Sequence, residues 1–290
     1  MEAERNGPEN EPGLTLADAN VLLGRHPHSP TGADTAADLL RWMDRFGIAE
    51  AVVGHTASWL HDPAAGNRML TDALGTASGR LRPCWAVLPG GTGELGEPDE
   101  LVAGALAAGV VAARGYPADH GWSLGTPDAT PLLRALAGAG LPLLLDAEQT
   151  SWTEITACAT DHPELRLVVC RTGYRALRRI AGVLGGTGNV WIETSTLTTH
   201  QGLEWLAGRF GTQRLLFGTG AMLQDPAEAV TRLLLSGLDD TAVRAIGGAN
   251  LRRLLTRPGV RAGMSGACGA NHQHRATASG DTEPARGRRE

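Results

Sequence analysis

Eight side chains near the ends of apolar runs carry most of the chemistry this sequence could perform: Asp18, Asn20, His55, Arg114, Asp146, Glu148, Arg171 and Glu193. Asp18 and Asn20 stand two apart, which in a strand puts both side chains on one side. They could bond a substrate together, with Asp18 as a base, or tie down the first loop. His55 closes the run AVVGH, and its imidazole titrates near neutrality by nature. Arg114 and Arg171 each end an apolar run. A guanidinium in a pocket grips a carboxylate or phosphate through two parallel bonds, which implies an anionic ligand. Asp146, Glu148 and Glu193 could work as paired carboxylates, one raised in pKa by the others. The competing reading joins these acids to the two arginines as an internal ion-pair network. The candidate roles are therefore proton chemistry for Asp18, His55 and Asp146, and substrate binding for Asn20, Arg114, Glu148, Arg171 and Glu193.

Other chemistry-bearing clusters carry less. Arg25-His26-Pro27-His28 follows the first apolar run and would need its loop to fold back to hold a metal. His120 and Trp122, with Trp152 further on, could form a lid and an aromatic wall. Cys268, His272 and His274 lie in a stretch without hydrophobic periodicity, where a specific metal site is not expected. The four cysteines are scattered, with no CxxC pair, so they read as packing residues.

The composition sets wider limits. The chain has 290 residues, 42% hydrophobic, with a net charge of −5, which suits one large globular domain. It contains no lysine, which excludes Schiff-base catalysis through lysine and a carboxylated lysine bridging two metals. A mildly acidic chain without basic clusters in its core gives no electrostatic reason for nucleic-acid binding. No run reaches the roughly 18 apolar residues of a membrane span, and the opening residues have no apolar stretch like a signal sequence. The expected location is the cytoplasm, with no membrane partner; a homo-oligomer is compatible with the composition.

The elements that must position these residues alternate. Strands are expected at Leu16–Leu23, Glu50–Gly54, Leu81–Leu88, Gly109–Arg114, Leu141–Asp146, Leu165–Cys170, Val190–Thr194 and Arg214–Gly218. Amphipathic helices fill the gaps, and a last one spans Asp239–Leu255. Gly47 and Gly140 each follow a helical run, a common stop signal. The strands are nearly all apolar, as parallel strands covered on both faces must be. Eight strand-then-helix units in series predict a single-domain (β/α)8 TIM barrel, an α/β fold, over 14–257. An open doubly wound sheet is the alternative, but no GxGxxG follows the first strand. Residues 1–13 and 258–290 read as disordered ends.

Several motifs recur in a set order: DANVLLGRHP, Gly66-Asn67, RLRPCWAVLP, LPLLLD, NVWIETS, RLLFGTG and IGGANLRRLL. Together they resemble the amidohydrolase-related family of the metal-dependent hydrolase superfamily, the branch of decarboxylases and small hydrolases. The likeness is greatest to a subgroup with D-x-N on the first strand and G-S/T-G on the eighth. The resemblance implies a metal gripped by His-x-His on the first strand, one His each on the fifth and sixth, and Asp on the eighth, with the metal activating water. At those places this chain has Asn20 and Leu22, Asp146, Arg171 and Gly220. The expectation is a degenerate metal site, without metal or other cofactor, that binds a small anionic, carboxylated substrate. Hydrolysis, decarboxylation or isomerisation would follow. The alternative is a catalytically inactive homologue acting as a ligand-binding or partner subunit.

Overall fold

The structure, a computed structural model, describes residues 14–27, 32–75 and 79–257. The expectations of disorder for 1–13 and 258–290, the tail cluster at Cys268, His272 and His274, and His28 all lie outside the described residues.

The chain runs β1 (Leu16–Leu23), α1 (Ala36–Phe46), β2 (Ile48–His55), α2 (Thr56–Leu60), α3 (Pro63–Leu74) and β3 (Leu81–Ala86). It continues through α4 (Pro98–Ala107), β4 (Ala112–Gly115), α5 (Ala129–Ala139), β5 (Leu143–Asp146), α6 (Trp152–Asp161), β6 (Leu167–Cys170) and α7 (Leu177–Gly186). The last elements are β7 (Val190–Glu193), α8 (Gly202–Phe210), β8 (Leu215–Leu216), α9 (Pro226–Leu234), α10 (Asp240–Arg244) and α11 (Asn250–Leu255). The strands pair in parallel in sequence order from β1 to β8. Beyond β8 the backbone returns to β1 through Ala19 N–H to Phe217 O (3.0 Å) and Leu22 N–H to Ala221 O (2.7 Å), which brings the sheet round into a TIM barrel.

The helices start and stop where local chemistry dictates. Thr35 caps α1 and Ser151 caps α6, each in a reciprocal capping box with the acid three residues on, Asp38 and Glu154. Gly47 and Gly140 end α1 and α5 in the left-handed region, as their positions predict. Small and mid-sized residues fill the barrel lumen: Ala17, Ala19, Val52, Cys84, Ala112, Leu144, Val168, Cys170 and Leu216. Alternate strand residues, such as Val21, Val53, Leu143 and Val169, pack outward with the helices.

Two departures from the sequence expectation shape the site. The segment after β2 is a short helix, α2, which nothing in the apolar periodicity foretells. The final helix is interrupted between α10 and α11 by a wider π-helical turn over Ala245–Ala249. A side chain at Gly248 would meet the carbonyl oxygen of Thr15 at 2.5 Å, so only glycine lets the turn press against the start of β1. Leu251 and Leu254 of α11 then join the luminal cluster. Asn250 Nδ2 bonds the carbonyls of Thr212 and Leu215 at the start of β8. The amino-terminal end of the barrel is thereby stoppered, and the strand-end polar residues gather at the other end.

Candidate active site

Asn20, Arg114, Asp146, Arg171 and Glu193 come together at the carboxyl ends of their strands. Arg114, buried at the end of β4, donates to Asn20 Oδ1 at 2.7 Å and forms a short ion pair with Asp146 on β5. Asp146's other oxygen faces Arg171 at 3.4 Å. Asn20 Nδ2 donates to Glu193 on β7 at 3.0 Å. Glu193 also accepts from the Ser195 hydroxyl (2.9 Å), the Ser195 N–H and the Arg171 N–H (3.3 Å). A side chain at Gly218 would meet the Glu193 carboxylate at 2.4 Å, so the glycine of the eighth-strand motif makes room for that acid.

Asp18 takes a different place. β1 shifts register against β2 between Asp18 and Val21, and this irregularity breaks the simple alternation that would put Asp18 and Asn20 side by side. Asp18 instead accepts from the backbone N–H groups of Asn20 (2.9 Å) and Thr219 (3.1 Å) and from the Thr219 hydroxyl (2.5 Å). Its carboxylate ties β1 to the chain beyond β8. Burial pushes it up to about 7, against those hydrogen bonds. Burial also raises Glu193, opposed by bonds from Asn20, Ser195 and Arg171. Burial disfavours the Arg114 charge, yet Asp146 beside it holds its pKa well above the usual value.

His55 is the cap of α2, its Nδ1 accepting from Ala57 N–H at 3.0 Å; burial lowers its pKa. Glu148 is exposed and meets Arg171 only at 3.7 Å, on the rim. Of the expected aromatic wall, Trp152 packs against the outer core. The mouth is instead roofed by Trp59 of α2, stacked on Tyr116 with centroids 5.2 Å apart, with His120 set edge-on against Tyr116. Asp119 holds the Trp59 indole N–H at 2.6 Å, and Gln149 holds Asp119. His26 also packs against Trp59, ring centroids 5.3 Å apart. Sequence reasoning missed Trp59, Tyr116, Ser195 and Thr219. The last two sit in the quoted motifs ETS and FGTG, where a hydroxyl beside a strand end was the available signal.

A family model described as amidohydrolase matches residues 10–257. This chain belongs to the amidohydrolase family. No curated protein matches it in sequence. Among solved structures, an uncharacterized TIM-barrel protein from Bordetella bronchiseptica is similar at 15% identity and TM-score 0.67, over 83% of this chain and 98% of that one. The 2,6-dihydroxybenzoate decarboxylase from Rhizobium is similar at 14% identity and TM-score 0.67, over 83% and 98%. The 5-carboxyvanillate decarboxylase from Novosphingobium aromaticivorans, solved with manganese and 4-hydroxy-3-methoxy-5-nitrobenzoic acid, is similar at 14% identity and TM-score 0.68, over 84% and 96%.

Among the described residues, the side chains at the places where the resemblance puts a metal are already engaged by other groups or offer no donor. Asn20 is bonded by Arg114 and Glu193, and both Asp146 oxygens face guanidinium groups. Arg171 is itself a cation, and a divalent ion a few ångströms from two guanidiniums meets strong repulsion. Gly220 offers no ligand. Among the described residues no group of three or more His, Cys, Asp or Glu side chains is placed to hold a metal ion.

Proposed function

We propose that this amidohydrolase-family barrel holds a small carboxylated molecule at Arg171 without a metal. The observation that carries the reading is the state of Arg171. Its backbone sits at φ 49°, a left-handed conformation that costs a non-glycine residue about 1–3 kcal/mol and tends to mark functional positions. Its guanidinium is the least tightly held charge of the network, with contacts to Asp146 and Glu148 only at 3.4 and 3.7 Å. It lies over the Trp59 ring at 6.0 Å, next to an aromatic surface. The guanidiniums of Arg114 and Arg171 share the single buried carboxylate of Asp146, with Glu148 out on the rim, which supports an anion as the ligand. Neighbouring folds that act on aromatic acids support an aromatic carboxylate as the ligand.

Turnover is the second reading, favoured by Glu193. Decarboxylation of an aromatic acid releases CO2 and puts a proton on the ring carbon, and burial raises the pKa of Glu193, which accepts from the Arg171 N–H, in the direction a proton donor requires.

The test combines calorimetric titration of the purified chain with benzoate and 2,6-dihydroxybenzoate, elemental analysis, and assay for 1,3-dihydroxybenzene. Binding that weakens tenfold or more in Arg171→Gln, with metal well below one equivalent, is expected. Stoichiometric tightly bound zinc or manganese, or unchanged affinity in Arg171→Gln, overturns the proposal. Product formation without added metal would establish turnover.

A further inference from the structure

The two oxygens of Glu193 are held unequally. Oε2 accepts from Asn20 Nδ2, the Ser195 hydroxyl and the Arg171 N–H. Oε1 accepts from the Ser195 N–H and, among the described residues, from no other group. That N–H belongs to the planar peptide joining Thr194 to Ser195, whose other end is the Thr194 carbonyl. Arg232 of α9 holds this carbonyl, with Nη1 donating to Thr194 O at 2.7 Å and Nη2 donating to Ser195 O at 3.1 Å. Thr194 O also accepts from Leu197 N–H at 3.1 Å. Arg232 Nη2 further meets the exposed Glu228, one helical turn earlier, at 2.9 Å.

A guanidinium bonded to a carbonyl oxygen draws electron density toward that oxygen. The N–H at the far end of the same peptide then becomes a stronger donor. Linked hydrogen bonds polarise one another in this way by roughly 10–30% per bond, and bonds to a charged group are the strong ones. The sequence Arg232, Thr194 carbonyl, Ser195 N–H, Glu193 thus carries the influence of a cation on α9 to a buried acid that the cation does not touch. It opposes burial, which raises the Glu193 pKa. The other charged or titratable groups around Glu193 are Asp18 on β1, Cys170 and Arg171 at the end of β6, and the Arg114–Asp146 pair reached through Asn20.

We propose that Arg232 is a positioning residue for Glu193: through the Thr194–Ser195 peptide it strengthens the one N–H on Glu193 Oε1, and so sets how readily that acid gives up its proton. The inference deepens the turnover reading, in which Glu193 supplies the proton to the ring carbon, and its consequence for catalysis rests on that reading. The relay itself needs no ligand. Loss of Arg232 withdraws support from the ionised carboxylate, so Glu193 should keep its proton to a higher pH. Loss of Glu228, which shares the guanidinium, should act in the opposite direction.

The experiment titrates the Glu193 carboxyl carbon by carbon NMR in the full chain, with Glu193→Gln identifying the signal. The midpoint should rise by about half a pH unit or more in Arg232→Met. It should return toward the wild-type value in Arg232→Lys, which keeps the charge and a donor. Lysine and methionine fill similar space, so a difference between the two variants reads the charge rather than the packing. An unchanged midpoint in folded Arg232→Met, or equal midpoints in the two variants, overturns the proposal. If Arg232→Met does not fold, Glu228→Gln decides: its midpoint should fall, and an unchanged one overturns the proposal. Assay for 1,3-dihydroxybenzene separates the two readings. A midpoint that moves with Arg232 in a chain that forms no product supports the relay and overturns turnover, whereas product formation with an unmoved midpoint does the reverse.

Discussion

The Asp18 carboxylate receives both the backbone N–H of Thr219, at 3.1 Å, and its hydroxyl, at 2.5 Å, from 201 positions away in the chain. Burial raises its pKa from 3.8 to about 7. A carboxyl that binds its proton more tightly when folded adds stability below about pH 4, and that stability is lost as the pH rises through about 7. Asp18→Asn removes this titration and keeps an acceptor for the two backbone N–H groups. Urea unfolding at pH 5 and pH 8 should show the variant gaining on the wild type at the higher pH. A constant difference between the two would mean that Asp18 does not carry the shift.

Arg114 and Asp146 form a buried pair that should tolerate joint replacement better than single loss. Arg114→Met alone strands Asp146 without its closest partner and should cost about 3–5 kcal/mol. Arg114→Met combined with Asp146→Leu should recover a large part of that in the same denaturant assay. Additive losses in the double variant would show that the two side chains contribute separately.

Arg171→Gly removes a guanidinium and relieves a left-handed backbone in one step. Stability should hold or rise by up to about 1 kcal/mol, since glycine adopts φ 49° without steric cost. Benzoate binding should fall tenfold or more. A loss of several kcal/mol, read by thermal unfolding, would make Arg171 a structural residue.

Gly218→Ala places a methyl group where the Glu193 carboxylate lies. The acid must move and give up bonds from Asn20 and Ser195. A destabilisation of roughly 2–4 kcal/mol is expected for a buried polar group left unsatisfied together with overpacking. Glu193→Gln in the same background tests the cause: if its charge is immaterial, the two losses will match.

The barrel was legible because its cues are local and repeated. Apolar runs at β1 and β5–β7 mark strands covered on both faces, and Gly47 and Gly140 mark helix ends. The convergence of Asn20, Arg114, Asp146, Arg171 and Glu193 followed once each was placed at a strand end. What escaped depended on geometry that no period records. The irregularity after Asp18 leaves its carboxylate bonded to Thr219 and to the backbone N–H of Asn20, apart from the Asn20 side chain, which bonds Arg114 and Glu193. The short α2 converts His55 from a free strand-end base into a cap, and carries Trp59 over the mouth. A five-residue helix has too few positions to show a periodic face, and a bulge leaves no mark in composition.

Gly220 matters through the space it leaves. Its backbone sits at φ 66°, and a side chain there would press on Gln224 at 3.2 Å and on Ser195 at 3.3 Å. Ser195 is one of the donors that hold Glu193. An aspartate placed at 220 would meet a strained backbone and crowd the serine that steadies Glu193. The glycine is thus the keystone of the loop beyond β8: what it leaves out is what lets the carboxylate beside it keep its bonds.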